Sequence, residues 1–192
     1  MHFRLPLLLI AAATLTAAIP TPNNDNTLLT KRDADDVVTA VQKISDQTRT
    51  LNSSVASYPG GIAGTIDAIK IETEAIGLNF DLRKAVHTAK CSENFTDDGS
   101  LNVAAAFLDL LPIVTSTLDN IIDKKPEFDR GLLGFASLSF LVKYNLETEK
   151  RLSLKLGDVV QGKLTPEYAS IAPLVLGQIE DAFTKAISVY SS

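Results

Sequence analysis

LNVAAAFLDLLPIVTSTLDNII, residues 101–122, decides the fold class. Apolar side chains recur in it every three or four residues. One stripe is Leu101, Ala104, Leu108, Leu111, Thr115, Leu118 and Ile122; beside it run Val103, Phe107, Leu110, Val114 and Ile121. That spacing follows the 3.6-residue turn of an α-helix rather than the alternation of a half-buried strand. Two adjacent stripes make a wide apolar face, so this is expected to be the most buried helix of its domain. Ser100 stands where a cap is expected. Pro112 should bend the helix, because it lacks an N–H and crowds the preceding turn.

The same spacing extends in both directions. Upstream, a first helix is expected from Asp33, with Asp33, Asp35 and Asp36 suited to the positive end of the helix dipole. Its stripe is Val37, Val41, Ile44, Thr48, Leu51 and Val55, and Tyr58-Pro59-Gly60-Gly61 ends it. A second helix over 62–90 carries Ile62, Ile66, Ile69, Thr73, Ile76 and Phe80, with Ile71, Ala75, Leu78, Leu82 and Val86 alongside. A polar loop over 91–99 follows. Downstream, Lys124-Lys125 closes the quoted helix, and Pro126 is a favoured first residue for the fourth. That helix carries Phe128, Leu132, Phe135, Ser139, Val142 and Leu146, with Phe140 and Tyr144 beside them, and frays past Leu156. Thr165-Pro166-Glu167 combines a cap, an N1 proline and a first-turn acid. It starts a fifth helix bearing Tyr168, Ala172, Leu176, Ile179, Phe183, Ile187 and Tyr190. Strand signals are nearly absent. The expectation is an all-α, five-helix up-and-down bundle forming a single domain over 33–192.

The first 32 residues read as processing signals. Arg4, the apolar run Leu5–Ala13, and Thr16 and Ala18 at the cleavage-site positions give a signal peptide over 1–18. Residues 19–32 are a propeptide or flexible arm ending in the dibasic pair Lys31-Arg32, which secretory proteases cut. Entry into the secretory pathway, and so an extracellular location, follows. It makes the sequons at Asn52 and Asn94 plausible glycosylation sites. No second long apolar run suggests a transmembrane segment. The formal net charge is −5. Removing residues 1–32 takes away three basic residues and one acidic residue, leaving the domain more acidic still. That argues against nucleic acid as a partner. The single cysteine, Cys91, permits no intramolecular disulfide. It is expected as a small buried hydrophobe, with an intermolecular bridge as the alternative.

Catalytic patterns are missing. There is no Gly-x-Ser-x-Gly elbow and no phosphate-binding glycine loop. His87 and Cys91 are four residues apart and could share a helix face, but metal binding needs a third ligand. The expectation is no metal, no cofactor and no enzyme activity. Asp35-Asp36, Asp97-Asp98 and Glu180-Asp181 fall where solvated faces and loops are expected. A less ordinary pattern is the small hydroxyl that interrupts four of the five stripes: Thr48, Thr73, Thr115 and Ser139, with Gln178 beside the last. Each hydroxyl can bond the carbonyl one turn back on its own helix. Alternatively some converge inside the bundle and offer hydrogen bonds to the head of an apolar ligand, with Phe107, Leu111, Phe135 and Ile179 as walls.

The segments Lys31-Arg32-Asp33-Ala34, Tyr58-Pro59-Gly60-Gly61, Lys124-Lys125-Pro126-Glu127-Phe128, Leu164-Thr165-Pro166 and Gln178-Ile179-Glu180-Asp181-Ala182-Phe183 stand in this order along the chain. Together they resemble the fungal hydrophobic surface-binding protein and cell-wall galactomannoprotein family. The resemblance spans nearly all of 33–192. It implies a five-helix bundle outside the cell or in the wall whose activity is binding. Some relatives adsorb to hydrophobic solids and recruit lipolytic hydrolases; others enclose fatty acids. The partner expected is therefore a hydrophobic surface or a lipid such as a fatty acid. A cavity without an exposed apolar patch would favour enclosure, and a patch without a cavity would favour adsorption. With neither, a wall glycoprotein whose sugars supply the function remains. A plant-type inhibitor bundle is disfavoured, because such bundles rely on disulfides.

Overall fold

The computed structural model describes residues 33–131 and 137–191. The expectations for the signal peptide, for Ala18, Lys31 and Arg32, and for Phe135 lie outside these residues. The described chain is helical, with no β-strand. Six helices follow one another: α1 Ala34–Ser57, α2 Thr65–Cys91, α3 Asp97–Asp123, α4 Lys125–Asp129, α5 Ser139–Gln161 and α6 Pro166–Val189.

The expected count of five is corrected to six among the described residues. The continuous fourth helix is instead the one-turn α4, then a break, then α5. Pro126 stands in the first turn of α4, one residue after its start at Lys125, and Gly131, at φ 42°, stands just beyond its end in a conformation that favours glycine. Two caps also differ from expectation. Thr96, not Ser100, caps α3, its side chain accepting from the Gly99 N–H at 3.1 Å. Ser100 is buried in the first turn, and its Oγ accepts from the Thr165 N–H at 3.0 Å. Thr165 precedes α6, yet its hydroxyl makes no cap bond. The acids before α1 behave as expected: Asp33 and Asp36 form a reciprocal capping box.

The five long helices close into a ring in the order α1, α2, α5, α6, α3. Direction alternates along the chain, as in an up-and-down bundle. Gln47 Nε2 on α1 reaches the Glu74 carbonyl on antiparallel α2, and Lys150 on α5 pairs with Glu180 on antiparallel α6. The order around the ring departs from chain order, because α3 packs on α1 and α6 rather than on α2. Consequently α1, α3 and α6 run parallel. Asn120 Nδ2 donates to Asn52 Oδ1 at 2.7 Å near the C-terminal ends of α3 and α1.

The motif residues at 58–61 and 124–128 meet at that end of the ring. Tyr58 stacks on Phe128 with centroids 4.7 Å apart, and Tyr190 meets Phe128 edge-on at 6.3 Å. Lys124 Nζ donates to the Tyr58 carbonyl at 2.9 Å. The Tyr190 hydroxyl donates to the Ile121 carbonyl at 2.6 Å; burial, then Asp129 and Glu127, raise its pKa, so the donor stays protonated. Gly60 has φ +70°, and a Cβ there would stand 2.8 Å from the Glu127 carbonyl oxygen. Only glycine lets these two loops lie together.

Which stripes are buried is not as expected. On α2, Ile71, Ala75, Leu78, Leu82 and Val86 face the core, whereas Ile66, Ile69, Ile76 and Phe80, with Ile62 just before the helix, are exposed. On α3 the buried set is Val103, Ala106, Leu110, Leu118 and Ile121, while Leu101 and Leu108 are exposed. That helix, with a mean hydropathy of 1.6 over its apolar window, is by length and composition able to cross a membrane. In the fold it lies between α1 and α6.

Candidate functional site

Two apolar cavities adjoin inside the ring. The larger, ≈ 230 Å³, lies among α1, α2 and α5, walled by Leu51, Val55, Ile71, Ala75, Leu146, Phe128 and Leu138. Its rim carries the exposed Ile69 and Thr73 of α2. The smaller, ≈ 40 Å³, sits at the centre, where Ile44, Leu78, Phe107, Leu156, Ile179 and Phe183 converge from all five long helices. Leu51, Ile121 and Glu149 belong to both walls. Their joint volume approaches the lower end of small-molecule sites, about 300–1,000 Å³. A third apolar hollow, ≈ 190 Å³, lies between α3, α5 and α6, walled by the buried Val103 and Val160 and sharing Phe107 with the central cavity. Gly157 and Leu176 line it, and a Cβ at Gly157 would collide with Leu176, so α5 and α6 come close only because that position lacks a side chain.

Where the two inner cavities meet, the wall is polar at one point. Glu149 lies on the buried stripe of α5 with Leu146, Leu152, Leu156 and Val160. It is 4% exposed, and its Oε1 has no hydrogen-bond partner among the described residues. Burial, reinforced by the Glu72 carboxylate on α2, pushes its carboxyl up to about 8. At neutral pH the group is therefore mostly a neutral acid, able both to donate and to accept. Glu72 also lines the larger cavity, and its Oε2 accepts from Asn145 Nδ2 at 2.8 Å. Among the described residues, no lysine, arginine or histidine lines either cavity.

The residues expected from sequence are scattered relative to this space. Thr48, Phe107 and Ile179 meet at the central cavity, and Thr73 stands at the rim of the larger one. Leu111, Thr115 and Gln178 share instead a shallow hollow on the outer face of α3 and α6. Thr48, Thr73 and Thr115 each donate to the carbonyl four residues back, of Ile44, Ile69 and Leu111. Ser139 donates to Asp129 Oδ1. Hydrogen bonds from Lys125 and Ser139 hold the Asp129 carboxyl below its usual range. The hydroxyls thus do not converge on one point.

Glu149 escaped the sequence reading, although a signal was present. An acid three residues after Leu146 and seven before Leu156 lies on an apolar stripe, not on a solvated face. Asn94 is exposed in the loop after α2; Asn52 is half-buried on α1 and bonded to Asn120. The expectation of a buried Cys91 is corrected: the thiol is exposed at the end of α2, 3.9 Å from the His87 ring. Exposure follows because α2 buries the neighbouring Val86 and Ala89 instead.

Comparison with known proteins places this geometry. The sequence model of the family described as hydrophobic surface binding protein A matches residues 34–162, which span α1 to α5. The cell wall mannoprotein 1 of Aspergillus flavus is 25% identical over 150 residues, covering 78% of this chain; the chain spans about half (51%) of that relative's length. Among solved structures, Afmp4p in complex with palmitic acid superposes with a TM-score of 0.76 at 23% identity, over 82% of this chain and 99% of that one. Ligand binding domain 2 of the Penicillium marneffei MP1 protein, complexed with multiple arachidonic acids, gives 0.74 at 22% identity, over 85% and 99%. The fold is shared with both.

Proposed function

We propose, from the premise that this chain belongs to the hydrophobic surface binding protein A family, that it is a secreted, non-enzymatic surface protein enclosing an apolar lipid within its bundle. A fatty acid or similar single-chain lipid fits best. The observation that carries this reading is the pair of adjoining apolar cavities, reaching from the α2–α5 seam to the centre of the ring. Burying an alkyl chain there is favourable at roughly 0.8 kcal/mol per CH₂. Two structurally similar proteins were crystallised with palmitic and arachidonic acids, and the curated relative is a cell wall mannoprotein; both support it. Among the described residues, Ser153 is the one serine on the cavity walls, and no histidine or cysteine joins it there as a base or nucleophile. The test is native mass spectrometry of the secreted protein, with organic extraction of what co-purifies. A fatty acid near one per chain is expected. A ligand-free mass that persists after adding fatty acids would contradict enclosure.

A second reading has its own observation. Ile66 on α2 is 80% exposed and Phe140 on α5 is 74% exposed, and Ile62, Ile69, Ile76, Phe80 and Tyr144 are exposed with them. Large apolar side chains gathered on a surface mark contact with another apolar phase. Adsorption to hydrophobic solids, with secreted hydrolases as partners, suits this face. The two readings are compatible, because Ile69 belongs both to the exposed stripe and to the cavity rim. A surface that holds the protein would thus lie next to the entrance through which lipid is taken up.

A further inference from the structure

Of the polar side chains that line the cavities, Glu149 alone has a buried polar atom without a hydrogen-bond partner among the described residues, whereas the Thr48 and Thr117 hydroxyls bond carbonyls of their own helices. Glu149 is 4% exposed, its Oε1 is unpartnered among the described residues, and it belongs to the walls of both cavities. An apolar chain satisfies neither the donor nor the acceptor of a buried carboxyl, and leaving such groups unmet costs free energy. A ligand head that both accepts and donates meets the need. An ionised head does not fit. Among the described residues no cation lines either cavity to balance a carboxylate, and Glu72 stands nearby as a further acid. An ammonium head would need its partner Glu149 ionised in an apolar wall.

We propose that Glu149, as its neutral acid, is the head-group partner of the interior site, and that the site selects lipids with a neutral hydroxyl-bearing head: an undissociated fatty acid or a fatty alcohol. The inference rests on the enclosure reading above and deepens it. With an undissociated acid, the two carboxyls exchange hydrogen bonds: each O–H donates to the other's carbonyl oxygen. An alcohol donates to the Glu149 carbonyl oxygen and accepts from its O–H. The charged surroundings of Glu149 are few. Of the elements around it, α2 presents Glu72; the cavity-lining residues of α1, α3, α4 and α6 include no titratable group. Ionisation of Glu149, at about 8, removes its O–H donor but leaves both oxygens as acceptors, so a head that can only accept loses its partner while an alcohol O–H still donates to the carboxylate.

The test compares hexadecanol, palmitic acid, methyl palmitate and hexadecane as ligands at pH 6 and pH 9.5, by native mass spectrometry or calorimetry. Hexadecanol does not titrate, so its pH dependence belongs to the protein; palmitic acid tells whether an undissociated acid is also taken. At pH 6 the wild-type chain should prefer hexadecanol over hexadecane by roughly tenfold, the equivalent of one buried hydrogen bond. That preference should persist at pH 9.5, where the alcohol O–H donates to the carboxylate; methyl palmitate, which also does not titrate and can only accept, should show its own preference over hexadecane at pH 6 and lose it at pH 9.5. Glu149→Gln should bind methyl palmitate equally at both pH values, and Glu149→Leu should lose both preferences at both. Circular dichroism at each pH verifies that every sample is folded. A methyl palmitate preference over hexadecane that is equal at pH 6 and 9.5 in the wild type, or an alcohol preference retained by Glu149→Leu, overturns the proposal while leaving enclosure intact. Failure of the wild type to bind any of the four ligands overturns enclosure, and this proposal with it.

Discussion

Replacing Glu149 by glutamine should change how stability depends on pH, in a window set by one proton. In the folded chain the Glu149 carboxyl is raised from its ordinary value of 4.5 to about 8, by burial first and Glu72 second. Below pH 4.5 the group is neutral in folded and unfolded chains alike, and contributes no pH dependence. Above that, the unfolded chain releases the proton and the folded chain keeps it. Unfolding therefore becomes more favourable by about 1.4 kcal/mol per pH unit until the folded group ionises near pH 8. Across the window the loss is about 5 kcal/mol, a large part of the 5–15 kcal/mol by which domains are typically stable. The assay is urea unfolding of the wild type and Glu149→Gln at unit steps from pH 4 to 9, followed by helical circular dichroism. Other titrating groups are common to both proteins, so the difference between the two curves isolates this residue. The wild type should lose ground to the variant steadily from about pH 5 to 8 and hold a constant deficit beyond. A difference that stays constant from pH 4 to 9 would refute the reasoning, and would mean that Glu149 is hydrated or paired in solution.

Gly60→Ala should destabilise the fold by more than the about 1–2 kcal/mol of a left-handed residue, since its Cβ also meets the Glu127 carbonyl at 2.8 Å. Gly61→Ala, at φ +64° with nothing within 4 Å, should cost the conformational part alone; equal losses in chemical denaturation would contradict the contact. In a secretory host, Asn94→Gln should remove a glycan from the intact mass and Asn52→Gln should not, because Asn52 is held by Asn120 on a helix; the reverse pattern would contradict this. Ile66→Asp with Phe80→Asp should weaken adsorption to polystyrene particles while leaving interior lipid binding unchanged. Undiminished adsorption would exclude the α2 face.

Much of the helical framework was legible because each core stripe has helical spacing. Val37, Val41, Ile44, Leu51 and Val55 are all buried, as their period requires. The reading failed where local signals compete with packing. On α2 both stripes satisfy the same periodicity, and only the order of helices around the ring decides that Ile71 and Leu78 go inside while Ile66 and Ile76 stay out. Ser100 and Thr165 are both good caps by residue type, but they bond each other across α3 and α6, an arrangement that chain-local reasoning does not contain. For the cavities, the sequence supplied Thr48, Phe107 and Ile179 as members of apolar stripes. It did not supply Glu149, because an acid on a helix is usually solvated, and its burial depends on α2 and α5 closing over it.

The central claim, that an apolar ligand lies inside the ring, is tested most directly by filling the space. Ala75 is 5% exposed on α2 and lines the larger cavity. Titrating hexadecanol into the wild type and Ala75→Phe at pH 6, with native mass spectra recorded at each step and folding verified by circular dichroism, compares an open interior with an occupied one. The account predicts a saturable complex with the wild type and its loss in the folded variant. Equal complex formation by both, or none by the wild type, would contradict it.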